Sequence, residues 1–116
     1  MNEEKNQVVE VTETISKDFD KAGISTVIKH DGIDNLEQLK RRLTKKLKEL
    51  LDTNYEKLIN ILYRIDINEY KLNELFGSKN REDIPSRLAD LIIERQLQKI
   101  NFRNRYRNNN SLPGDD

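Results

Sequence analysis

NYEKLINILYRID, residues 54–66, is the stretch whose reading decides the fold. At about 100° per residue, Tyr55, Leu58, Ile59, Leu62 and Ile65 fall on one helical stripe, with Ile61 and Tyr63 on its flanks. The apolar arc covers roughly half the circumference, wider than a helix with a single buried side needs. This helix, ending near Ile65, is therefore expected to touch more than one neighbour and to form the centre of a small helical bundle.

Upstream, a helix is expected from about Asn35 to Leu51. Leu36, Leu39, Leu43, Leu47, Leu50 and Leu51 share one stripe. Asp34 and Glu37 have the spacing of a capping box, and Thr53 with Glu56 repeats it at the start of the central helix. So short a connection favours an antiparallel or sharply angled pair. Downstream, Asn68 is the expected N-cap of a short helix over Glu69–Phe76. Ile67 and Leu72 stand as a hydrophobic staple, and Gly77 as the glycine just past the end. Ser78–Asp83 reads as a polar loop, in which Glu82 and Asp83 serve the positive end of the next helix. Pro85 suits the first turn of that last helix, which runs to about Asn104. Its segment Leu88–Ile93 is apolar around most of the circumference.

Residues 1–32 show no sustained helical period. Val8, Val9 and Val11, then Ile24, Val27 and Ile28, suggest short extended pieces, with turn signals at Gly23 and Asp31-Gly32. The chain thus divides into a flexible acidic arm (1–32), a helical bundle domain (33–107) and a disordered tail (108–116). The fold class is all-α, a small bundle of about four helices with a flexible N-terminal arm. Leu36, Leu39, Leu43, Leu47, Leu58, Ile59, Leu62, Ile65, Leu72, Leu88, Leu91 and Ile92 are expected to form most of the core.

LYRID (Leu62–Asp66) and LIIERQLQK (Leu91–Lys99) together resemble a group of small, helical, uncharacterised bacterial proteins with an LYRID-type segment followed by an IIER-LQK-type helix. The resemblance covers roughly residues 43–106. It implies a bacterial cytoplasmic helical domain and carries no activity, cofactor or functional residue.

The composition narrows the function classes. Charged residues make up 36% and hydrophobic residues 34% of the 116, so the core must be compact. Cysteine is absent, which removes disulfides, thiol nucleophiles and thiolate metal sites. No apolar run approaches the ~18 residues of a membrane span. The opening MNEEKNQ is polar and acidic, unlike a signal peptide, which points to a cytoplasmic protein and no membrane partner. The only histidine, His30, lies with Asp31 and Asp34 in a glycine-bearing loop and reads as an exposed loop residue. Serine-nucleophile, phosphate-loop and zinc spacings are missing, so no enzyme, metal or cofactor is expected.

The 21 basic and 21 acidic residues cancel, yet they are segregated. Residues 38–48 and 95–107 are basic and acid-free, whereas residues 1–20 are mostly acidic. Arg41, Lys45 and Lys48 lie on the polar side of the first bundle helix; Arg95, Lys99, Phe102 and Tyr106 share one side of the last helix, with Arg103 close by. Together these eight residues form a candidate face for an anionic partner, because arginine and lysine neutralise phosphates while aromatic rings stack on bases. Two expectations follow. The first is a non-enzymatic protein-interaction or adaptor module, binding a protein partner or a second copy through apolar surface left over around Leu88–Ile93. The alternative is a nucleic-acid-binding accessory protein using the basic faces of the first and last helices. A further expectation is that Arg64 or Asp66 pairs with Glu94 or Arg95 and fixes helix register.

Overall fold

The computed structural model describes residues 2–24 and 33–110. They form α1 (Asn2–Lys21), α2 (Leu36–Thr53), α3 (Tyr55–Ile65), α4 (Glu69–Phe76) and α5 (Ile84–Asn110), with a 3-10 turn at Arg81–Asp83 before α5. The all-α class holds, with a fifth helix where the arm was expected.

That helix, α1, corrects the reading of residues 1–32. Val8, Val11, Thr12, Ile15 and Phe19 are all buried, spaced three, one, three and four residues apart, which is a helical stripe. Two features hid it. The segment is rich in valine, threonine and isoleucine, each costing a helix roughly half a kcal/mol relative to alanine. Burial outweighs that cost, since each Val, Ile or Phe taken out of water gains roughly 1.5–3 kcal/mol. The other feature is Thr12, a polar residue within the stripe, whose hydroxyl donates to the Val8 carbonyl at 2.7 Å and so enters the core satisfied. His30 and Asp31 of the loop cluster, together with Val27, Ile28 and the Asp31-Gly32 turn, lie outside the described residues.

The caps are built one residue away from where the sequence put two of them. Asn35, not Asp34, caps α2: its side chain accepts from the Gln38 N–H at 2.9 Å, while Gln38 Oε1 accepts from the Asp34 N–H at 2.6 Å. Glu37 instead faces Arg41 across 3.8 Å on the helix surface. Asn54, not Thr53, starts α3 by accepting from the Lys57 N–H at 3.2 Å, and its own N–H closes α2 on the Leu50 carbonyl at 2.8 Å. One asparagine therefore ends one helix and begins the next. Thr53 remains inside α2, its hydroxyl bonded to the Glu49 carbonyl. Asn68 caps α4 as expected, accepting from Tyr70 and Lys71. Gly77 follows α4 with φ −83°, so this end does not use the left-handed cap.

The axis of the bundle is α5, not α3, because α5 contacts every other helical element. Ile84, Leu88, Ala89, Ile92, Ile93 and Ile100 are buried along it. Lys40 meets Asp90 at 3.0 Å, and Lys48 shares a depression with Pro85 and Ser86, so α2 runs antiparallel to α5. Of the twelve expected core residues, eight are buried; Leu36, Ile59, Leu72 and Leu91 are half-buried against the same core. Within the apolar segment Leu88–Ile93, Leu88, Ala89, Ile92 and Ile93 are buried by the neighbouring helices, while Leu91 is half-buried.

Between α1 and α5 the apolar contact carries one polar latch. Gln96 is buried, and its side-chain amide donates to Asp18 at 2.6 Å. An unpaired amide in that position would cost its full desolvation, so the bond fixes α1 in register on α5.

Candidate functional site

The segregated cations have structural work that their spacing alone does not reveal. A helix ends with carbonyls that lack intrahelical partners and carry partial negative charge. Lys57 Nζ donates to the Gly23 carbonyl at 2.9 Å and Arg64 to the Lys21 carbonyl at 3.5 Å, closing the end of α1. At the end of α3, Arg95 Nε donates to the Asp66 carbonyl at 3.1 Å, Arg95 also meets the Asp66 carboxylate at 3.4 Å, and Lys99 donates to the Ile65 carbonyl. The expected Asp66–Arg95 pair is therefore present, whereas Arg64 serves α1. Glu94 pairs with Lys71 on α4 at 3.7 Å.

Asp66 occupies the left-handed conformation, φ 64°. Its N–H bonds to the Leu62 and Tyr63 carbonyls, and the Ile67 N–H reaches back to Leu62. This is a Schellman ending without glycine, in which aspartate is one of the few tolerated residues. Ile67 is buried immediately after it, so the chain turns sharply from α3 into α4.

Of the eight residues of the candidate anionic-partner face, Arg95, Lys99, Phe102 and Arg103 line one groove with Thr14 and Asp18 of α1. Tyr106 follows on the exposed end of α5. Lys48 lines a different depression, beside Ile84 and Pro85. Pro85 and Lys99 are about 21 Å apart along the helix axis. Arg41 and Lys45 are exposed on α2 and line neither groove; Arg41 faces Glu37. The α2 cations and the end of α5 thus do not share a groove.

The α3–α4 turn creates a surface that the sequence reading did not single out. A groove between the two helices is floored by Ile59, Leu62, Ile67 and Leu72. Tyr55, Tyr63 and Tyr70 stand around it, 51%, 70% and 71% exposed. The Tyr55 ring meets Phe76 edge-on, with centroids 6.2 Å apart, and ties the start of α3 to the end of α4. The remaining lining residues include Asp66 and Glu69 and no lysine or arginine. Tyr55 lies on the apolar stripe of α3, outside the expected core, and is half-exposed. The available signal was that three of the four tyrosines fall within residues 55–70.

Among the described residues no group of three or more His, Cys, Asp or Glu is placed to hold a metal ion, and no helix is long and apolar enough to cross a membrane. Protein-family models, curated proteins and solved structures were each compared with the chain, and none matches it.

Proposed function

We propose that this chain is a non-enzymatic protein-interaction module whose docking site is the tyrosine-rimmed groove between α3 and α4. The observation that carries the reading is the convergence of three exposed tyrosines on one apolar floor. Tyrosine gives large contact area at low entropic cost and keeps a polar tip, so it is enriched at binding hot spots. With Glu69 at the rim, the exposed Asp66 carboxylate shared with Arg95, and no cation among the lining residues, the groove favours a segment that is apolar on one side and basic on the other. An amphipathic helix has that chemistry.

The nucleic-acid reading ranks second. The exposed basic and aromatic end of α5 favours it, but Arg95 and Lys99 already bond the end of α3, and the α2 cations stand apart.

Chemical-shift mapping tests the choice. A synthetic amphipathic helix of leucine, lysine and arginine is titrated into the labelled protein, beside an equivalent leucine–glutamate helix. Shifts confined to α3 and α4 with the basic peptide, and lost in Tyr63→Ser/Tyr70→Ser, are expected. Shifts that follow the acidic peptide, or that centre on Arg41 and Lys45, overturn the proposal.

A further inference from the structure

Among the described side chains of α5 the last buried one is Ile100, yet the helix continues to Asn110. Residues 101–106 are all exposed, with Phe102 at 71% and Tyr106 at 63%. A helix with no buried side is poorly supported by its own protein, and two aromatics one turn apart are the anchors of a helix that lies in a groove. From Arg95 to the end of the helix the chain contains no acid. This segment therefore has the chemistry that the α3–α4 groove calls for: aromatic anchors, arginines and no carboxylate.

Geometry excludes the groove of the same molecule. Phe102 and Tyr106 lie seven and eleven residues beyond Arg95, which on a helix puts them within about 20° of its side. Arg95 faces Asp66, a residue of the groove rim. The aromatics thus lie on the side of α5 that meets the end of α3, and Tyr106 is about 16 Å further along an unbroken helix. A continuous helix does not turn back over that distance. A second copy has no such restriction. A two-fold axis lets each copy offer its helix end to the other's groove and its own groove in return, an exchange that closes without leaving an open surface.

Resting on the groove reading above, we infer that the exposed end of α5, anchored by Phe102 and Tyr106, docks in the α3–α4 groove of a second copy of this chain. The arginines at 103 and 105 meet the partner's acidic rim.

A charge-swap experiment tests this on the full chain. Sedimentation equilibrium of the wild type is expected to show a dimer that weakens as salt rises, because the rim contacts are exposed and screened. Arg103→Glu/Arg105→Glu places acid against acid. Glu69→Lys places base against base. Each variant alone is expected to weaken dimerisation about tenfold or more, while an equimolar mixture of the two restores it, since every contact in the mixed pair is then complementary. Circular dichroism melts confirm that each variant folds, and Phe102→Ser with Tyr70→Ser provides an uncharged pair of variants should either swap fail to fold.

A wild type that stays monomeric at millimolar concentration overturns the inference, as does a dimer indifferent to both variants or a mixture that fails to re-associate. A single-stranded oligonucleotide is included as a further arm. Tight binding of it by a monomer, lost in the Arg103→Glu/Arg105→Glu variant, also overturns the inference and assigns the helix end to nucleic acid. The groove itself is judged separately: if the chain is monomeric but the leucine–lysine–arginine helix still maps to α3 and α4, the docking site stands with another protein as its occupant.

Discussion

The single helix α5 behaves as two regions divided at Ile100. Before it, apolar side chains are buried on several sides and the cations Arg95 and Lys99 bond the carbonyls that end α3. After it, Phe102, Arg103, Arg105 and Tyr106 stand exposed. Both halves carry cations on one continuous helix, and they differ in aliphatic content and in whether another helix end lies alongside. A lysine beside an unsatisfied carbonyl becomes a cap, whereas an arginine one turn further on remains available to a partner.

The largest expected effect breaks the comparison at its apolar level. Ile92→Ala should cost about 2–5 kcal/mol in urea unfolding, from lost burial and the cavity left behind. Phe102→Ala, at a position exposed in the single chain, should change stability by no more than about 0.5 kcal/mol at concentrations too dilute for association. Comparable losses for the two would show that the end of α5 is packed within its own molecule.

Next comes the polar latch. Asp18→Ala leaves the buried Gln96 amide without this acceptor and should cost about 1–3 kcal/mol. The double variant Asp18→Ala/Gln96→Leu should recover part of that loss, because it removes both polar groups. A double variant less stable than Asp18→Ala would show that Gln96 has support other than Asp18.

The anchor of Arg95 gives a smaller effect. Asp66→Ala should be about 1 kcal/mol less stable than Asp66→Gly by chemical denaturation, since both lose the carboxylate and only alanine resists the left-handed conformation. Equal stabilities would mean that the turn relaxes when the side chain changes. The smallest contrast is between cations. Lys99→Met should cost roughly 0.5–1 kcal/mol through the lost cap on α3. Arg103→Met, at the same high dilution, should leave stability unchanged within about 0.5 kcal/mol.

Much of the fold could be read from the chain because leucine spacing in α2 and α3 matches the helical period closely, and the burial of Leu39, Leu43, Leu47, Leu58 and Leu62 follows from it. In α1 the same logic failed for a local reason. Apart from Phe19 its stripe is made of β-branched residues, the polar Thr12 among them, so short-range propensity argued against the helix that burial enforces. The displaced caps have a similar origin: Asp34 and Asn35, like Thr53 and Asn54, are neighbouring residues that both cap well, and the choice depends on where the chain enters the helix. The candidate site was less legible. The eight residues of the basic face are surface groups apart from Arg95 and Lys99, which are drawn onto α3, while the tyrosine groove arises from the angle between two helices joined at Asp66.

By itself the sequence determined the helical class, the stripes of α2 and α3, the short α3–α4 connection and the acid-free end of α5, because each depends on residues within a few positions of one another. Only the tertiary structure decided that residues 8–19 fold onto α5, that Lys57, Arg64, Arg95 and Lys99 cap other helices, and that three tyrosines surround one groove. Those outcomes depend on burial and on carbonyls supplied by distant segments, and no local pattern along the chain records which distant group will be near.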